Sequence, residues 1–336
     1  MRGDTLAREG RKELLMSTMN RRRFLSAAAA TAAGSLAPIR LPAKLPALRE
    51  RETIIDTHVH FYDPSRPGGV PWPPASETLL YRPILPETYK KVTAGLGITG
   101  VIEVEASPLL EDNQWVLNLA KHESIVLGTC GDIEIGKPGF GDSLERFLEG
   151  GQFYGIRVGN LWNRDLGEDL KRPVTIANLK LLSQAGLEVD MIGGFPILPD
   201  ALRVSDAVPE LRIVVEHMPF DAPRNEADRP AAESALHEVG QRRQIFSKVS
   251  NVLRKEGGQP VEDLAFYRPS LDQLWDTFGA DRLIYGSNWP VSDKTGPYEL
   301  VFRVVREYFA TKGEDASRKF FARNSQAAYR WKVRNA

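Results

Sequence analysis

The chain has 336 residues, 42% hydrophobic and 26% charged, which is enough apolar material to bury a sizeable core and excludes disorder outside the ends. Its 44 basic residues balance 44 acidic ones, so it carries no electrostatic footprint for nucleic acid or an anionic membrane, and a small molecule is the expected partner. The single cysteine, Cys130, excludes an internal disulfide, so maturation needs no oxidising compartment.

In chain order, the first feature is Asn20-Arg21-Arg22-Arg23-Phe24-Leu25, followed by an alanine-rich run and a small-x-small end at Ser35 and Ala37. This resembles a twin-arginine export signal. The apolar run falls well short of the roughly 20 residues that span a bilayer, so a cleaved signal is expected rather than a permanent anchor. The plain alternative is an alanine-rich helix capped by arginines, but no apolar stripe at helical spacing supports it. Met16 and Met19 precede the motif, so translation can start later than Met1. Pro38 to Arg51 reads as a tether. The expected organisation is an export signal with tether over residues 1–50 and one domain over residues 51–336. The implied destination is periplasmic or extracellular, with the twin-arginine machinery as a partner. A homo-oligomer stays open.

From Thr53 onward, short β-branched runs alternate with longer helical stretches, the pattern of a parallel sheet with helical crossovers. Strands are expected at Ile54–Phe61, Gly100–Ala106, Ile125–Ile133, Phe153–Val158, Leu187–Ile192, Arg212–Met218, Gln244–Val249 and Arg282–Ser287. Helices are expected at Pro86–Gly97, Glu111–His122, Thr175–Ala185, Pro230–Arg242, Leu271–Phe278 and Pro297–Lys312. Eight strands are the number that closes an α/β (β/α)8 TIM barrel. An open doubly wound sheet would call for a Gly-x-Gly-x-x-Gly turn after the first strand, and none is present. In such a barrel the site is built where strands end.

His58 and His60 end the first expected strand, and strand alternation puts them on one face, where two imidazoles can hold a divalent ion. Histidines that merely pack are the plain reading of such a pair. His217 ends the sixth strand, with a buried imidazole bonded to a carbonyl as its plain reading. The remaining two histidines, His122 and His237, fall on polar helix positions. Glu103, Glu105, Asp132 and Asp190 are strand carboxylates that are costly to bury unless paired or on a metal. Arg157 and Lys248, also on strands, are candidates to bind substrate or to form structural ion pairs. Trp72, Trp162 and Trp289 fall in loops that could wall a sugar-sized pocket.

Taken together, Asp56-Thr57-His58-Val59-His60, Asp112-Asn113-Gln114-Trp115, Gly155-Ile156-Arg157, Val215-Glu216-His217 and Tyr285-Gly286-Ser287-Asn288-Trp289-Pro290 resemble the amidohydrolase-related hydrolases, in particular their sugar-lactone lactonase branch. The resemblance runs from about Thr53 to Trp331. It implies a metal-dependent hydrolase barrel that opens a lactone or related ester, with one divalent ion, zinc ahead of manganese, or none. The implied metal set is His58 and His60 completed by His217 or Glu105. Arg157, Lys248 and Trp289 are the substrate-binding candidates, and Asp190 is a further candidate catalytic carboxylate. The last strand in this family usually ends Gly-Ser-Asp-Trp-Pro, but here Asn288 holds the Asp position, and an amide takes no proton at neutral pH. Three readings follow: Asp293 replaces the missing base, a metal alone activates water, or catalysis is lost and binding kept. A metal-dependent decarboxylase or hydratase on the same barrel, and an inactive carbohydrate-binding barrel, are the rival functions.

Overall fold

The computed structural model describes residues 53–217 and 225–333. The segment expected to be an export signal and tether lies outside the described residues, as does Met218 at the end of the sixth expected strand.

Eight parallel strands follow one another around a barrel in sequence order: β1 (Ile55–Val59), β2 (Gly100–Val104), β3 (Val126–Gly131), β4 (Phe153–Gly159), β5 (Glu188–Ile192), β6 (Arg212–Val215), β7 (Ile245–Val249) and, beyond a small hairpin of β8 (Lys255–Glu256) with β9 (Gln259–Pro260), the last barrel strand β10 (Leu283–Tyr285). Seven barrel strands fall inside their expected runs, and β4 runs one residue past its own, to Gly159. The ring closes between β1 and the chain just past β10. There Asn288 N–H donates to the His58 carbonyl at 2.9 Å and His60 N–H donates to the Trp289 carbonyl at 2.9 Å. This seam joins the first and last strands, so a barrel forms and not an open sheet.

The strands are buried on both faces, so their polar residues, Asp56, His58, Glu103 and Lys248 among them, are buried as well. Helices at Pro86–Val92, Leu110–His122, Pro173–Gln184, Arg229–Gln241, Leu264–Phe278 and Tyr298–Thr311 cover the outside; the second, third, fourth and last lie close to their expected spans, and the first stops at Val92, short of Gly97. Two more, Phe140–Leu148 and Leu198–Ala207, have no counterpart among the expected helices. The first follows the left-handed Gly139, and the second grows out of a turn at Phe195–Ile197 in a Gly- and Pro-rich stretch that reads locally as loop. The helix expected from Leu271 begins at Leu264 instead, because the Asp263 carboxylate caps it by accepting from Ala265 N–H and Pro269 is tolerated within it. Among the described residues, no helix is long and apolar enough to cross a membrane.

The two ends of the barrel differ. At the strand starts, the helix Asn324–Tyr329 and Trp331 pack against Ile55, Ile102, Leu127, Val214, Phe246 and Ile284, plugging that end with apolar side chains. Arg212 pins the plug by donating to the Ala328 carbonyl at 2.5 Å. The polar residues singled out in the sequence gather at the other end.

Candidate metal centre

Three histidines meet at the strand ends. The His58 ring lies 5.0 Å from that of His60 and 4.7 Å from that of His217, centroid to centroid. His58 and His60 are two apart on β1 and its extension, so alternation brings them together. His217 arrives by a different route, because β6 ends at Val215 and His217 takes a left-handed backbone, φ +59°. In a continued strand, Glu216 and His217 would face opposite sides. The reversal at His217 instead lets both reach His58, with the Glu216 Oε1 3.3 Å from His58 Nδ1. Ligand atoms of His58, Glu216 and His217 lie within 4.8 Å of one another, all buried.

The donor pattern fixes what these rings offer. His60 Nδ1 faces the Val104 carbonyl at 2.8 Å, which can only accept, so Nδ1 carries the proton and Nε2 keeps its lone pair. That lone pair points toward the Asn288 side-chain oxygen at 3.3 Å. His217 Nδ1 meets the Ser250 hydroxyl at 2.8 Å. Both ring nitrogens of His58 are buried without any hydrogen-bond partner. Burial, followed by the nearby positive charges, holds the His58 imidazole well below its ordinary pKa. Burial and then Arg157 push His60 down to about 4. Both rings are therefore neutral bases at neutral pH, the form that ligates a metal.

Glu216 is held ionised. Burial alone would raise its pKa, but Lys248 and then Arg157 bring it down to about 2. Lys248 Nζ lies 3.3 Å from Glu216 Oε1, and an Arg157 terminal nitrogen lies 3.5 Å from Oε2. Nothing in the linear pattern marks Glu216 as a ligand in place of Glu105. Its only signal was its place beside His217 in the family motif.

The other expected residues occupy defined positions. The Glu105 carboxylate accepts from Arg157 Nε at 2.7 Å, from the Trp162 indole N–H at 3.1 Å and from Ser107 N–H at 3.0 Å. Glu105 is thus held by three donors, Arg157 first among them, and is not part of the His58, Glu216 and His217 group. Of the two readings for Lys248 the geometry fits the structural ion pair, since its ammonium is fully buried on Asp190, at 2.5 Å, and on Glu216. Asp190 also accepts from Tyr329 OH at 2.8 Å, so that carboxylate is spent on the barrel interior. Trp289 is fully buried and packs edge-on against Tyr89 at 5.5 Å, so it belongs to the core of the seam and not to a pocket wall. Trp72 does stand at the mouth, its ring 5.7 Å from that of His60. Asp293 faces Arg82 at 3.7 Å on a turn past the seam. Asp132 forms a two-point pair with Arg164, at 2.5 and 3.0 Å, and Glu103 accepts from Thr129 Oγ1. His122 and His237 are exposed.

A second buried group, Cys130 with Glu188 and Asp190, lies deeper in the barrel. The Lys248 ammonium sits on its Asp190, and burial pushes the Glu188 carboxyl well above the usual carboxylate range.

Residues 55–331 match the amidohydrolase family. The chain belongs to that family. The L-fucono-1,5-lactonase of Burkholderia ambifaria is 28% identical to this amidohydrolase over 249 residues, covering 73% of this chain and 82% of the relative. The L-fucono-1,5-lactonase of Burkholderia multivorans is 23% identical over 271 residues, covering 79% and 91%. Among solved structures, an amidohydrolase from Burkholderia multivorans with bound zinc superposes with a TM-score of 0.74 at 21% identity, over 83% of this chain and all of that one. The cluster in this amidohydrolase fits a divalent cation on its own chemistry. It joins two His58 ring nitrogens buried without a hydrogen-bond partner, a second imidazole and an ionised carboxylate within one small space, a donor set that suits a divalent ion.

Proposed function

We propose that this amidohydrolase is an exported, metal-dependent hydrolase that opens the lactone of a sugar acid or a related small cyclic ester. The observation that carries the reading is the convergence of Glu216 and His217 on His58, whose two ring nitrogens are buried without a hydrogen-bond partner. In the proposed arrangement His58, His217 and Glu216 hold a divalent ion, zinc ahead of manganese, with His60 Nε2 and the Asn288 oxygen facing the same space. Such an ion, when bound, polarises a carbonyl and makes water acidic enough to supply hydroxide near neutral pH.

The remaining work belongs to the chain. Lys248 and Arg157 keep Glu216 ionised, and Val104 holds His60 in the tautomer whose Nε2 is free to bind. Arg157, Glu105 and Trp162 form a rigid wall at the ends of β2 and β4, and Trp72 offers an aromatic face to a sugar-sized ring. Asn288 accepts or donates a hydrogen bond but takes no proton, so the proposed substrate is an ester and not an amide. A strained ester with a good leaving group needs less help from a base. The likeness to two L-fucono-1,5-lactonases supports a sugar lactone as the first substrate class to try.

The test pairs metal analysis of the purified protein with a panel of sugar lactones followed by acid release. About one divalent ion per chain and turnover abolished in His58→Ala are expected. Tight sugar binding without turnover, or turnover untouched by His58→Ala, would overturn the reading. For export, replacing both Arg21 and Arg22 with Lys is expected to leave the protein in the cytoplasm, and unchanged export would remove that part.

A further inference from the structure

Below the histidines, Asp56 ties the barrel seam together. Its Oδ1 accepts from His58 N–H at 3.2 Å and from Ser287 N–H at 2.8 Å. Its Oδ2 accepts from Tyr89 OH at 3.0 Å and from Tyr298 OH at 2.9 Å. Tyr285 OH in turn donates to Tyr298 OH at 3.1 Å. The three phenols thus form one hydrogen-bonded group around the carboxylate. Four donors converge on the two Asp56 oxygens, two backbone N–H groups on Oδ1 and two phenols on Oδ2, and the Tyr89 and Tyr298 hydroxyls also lie 3.1 Å apart.

The knot joins parts far apart in sequence. Asp56 lies on β1, Tyr89 on the helix Pro86–Val92, Tyr285 at the end of β10, and Tyr298 at the start of the helix Tyr298–Thr311. It also frames the two segments that carry candidate ligands. His58 is held at its N–H by Asp56 and at its carbonyl by Asn288 N–H, 2.9 Å, and Ser287 Oγ, 3.3 Å. Asn288 itself follows directly on Ser287, whose N–H Asp56 also holds. A buried cation site tolerates little misplacement of its ligands, and groups that orient them are worth a large factor in affinity.

We propose that Asp56 is the positioning residue of the metal centre: by drawing Ser287 and His58 onto one carboxylate, it sets the separation between the β1 ligands and Asn288. The inference rests on the metal reading above and goes beyond it, because Asp56 touches neither the ion nor the substrate.

The test measures zinc affinity by competition with a chromophoric chelator, and the visible spectrum of the cobalt-loaded protein, for wild type, Asp56→Asn, Tyr298→Phe and Leu274→Ala. Leu274 is a fully buried core residue on the helix Leu264–Phe278, away from the knot, and its truncation is a control for stability loss alone. Asp56→Asn turns an amide N–H2 toward donors and is expected to weaken zinc binding about 10-fold or more, with an altered cobalt spectrum. Tyr298→Phe leaves three donors on an intact carboxylate and is expected to move both readouts the same way by less, which keeps the test alive if Asp56→Asn does not fold. Leu274→Ala is expected to lower Tm and keep the wild-type affinity and spectrum. Folded Asp56→Asn or Tyr298→Phe with wild-type zinc affinity and cobalt spectrum would overturn the inference, as would an equal loss in Leu274→Ala. A wild-type protein that binds neither ion would defeat the functional reading and this inference with it, whereas a metal-binding wild type with unaffected variants defeats this inference alone.

Discussion

Two buried polar clusters share the mouth of this barrel and treat their charges in opposite ways. On the side of β2 and β4, Glu105, Arg157, Trp162 and Ser107 satisfy one another, and Asp132 is matched by Arg164. On the side of the seam, His58 has no hydrogen bond to either ring nitrogen, and Glu216 faces it with negative charge. A self-satisfied cluster is structure, and the chain gains nothing by adding to it. A cluster that leaves buried polar atoms unpaired costs stability by itself, so it is retained for what binds there. The contrast separates candidate ligands from candidate scaffolding more sharply than residue type does, since both sides are rich in the same carboxylates.

The largest expected difference comes from cutting each cluster once. Arg157→Met strands Glu105 and Glu216 with reduced compensation and is expected to cost about 3–5 kcal/mol in chemical denaturation, or to prevent folding. His58→Leu removes two unpaired nitrogens from the core and is expected to change the stability of metal-free protein by no more than about 1 kcal/mol in the same assay, while abolishing metal binding. Equal losses in the two variants would erase the distinction.

The next effect is on pH. In the folded metal-free protein His60 takes up its proton only near 4, against an ordinary value of 6.5. Between those values the unfolded chain binds a proton that the folded chain refuses, so stability falls as pH is lowered through this window, by about 3 kcal/mol. Glu105, raised to about 7 chiefly by burial, and Asp190, raised to about 6 chiefly by burial, pull the other way, because the folded state keeps protons there that the unfolded chain has released. The readout is therefore the difference in slope between wild type and His60→Gln, measured by urea denaturation from pH 6.5 to 4. Identical slopes would show that His60 is not held neutral by its surroundings.

Metal removal is expected to be slightly smaller. An ion present at 100 times its dissociation constant stabilises by about 2.7 kcal/mol, so a chelator should lower the Tm of wild type and leave that of His58→Leu where it was. The smallest change is at the seam itself. Asn288→Asp keeps a left-handed backbone at φ +60° that both residues tolerate, and it restores a group able to take a proton. At least about a tenfold rise in lactone turnover is expected if water activation limits the rate. An unchanged rate would move attention to Asp293 or to the ion alone.

The barrel was legible in the sequence because its signal is repeated and local: eight β-branched runs, each buried on both faces, separated by amphipathic stretches. The helices at Phe140–Leu148 and Leu198–Ala207 were not legible, since glycines and prolines at their starts mask segments that packing against the barrel makes helical. His58 and His60 could be paired from the chain alone because strand alternation is a near-neighbour rule. Glu216 could not be joined to His217, since the same rule puts adjacent strand residues on opposite faces, and only the left-handed turn at His217 overrides it. Trp289 read as a loop residue free to line a pocket, but the closing of the ring buries it entirely. Residue order alone determined the strand count, the parallel winding and which end of the strands carries polar groups, because these follow from hydrophobic periodicity. The tertiary structure alone decided which carboxylate meets the histidines, which are consumed by Arg157 and Lys248, and how Asp56 gathers the seam, because each depends on groups brought together from distant strands.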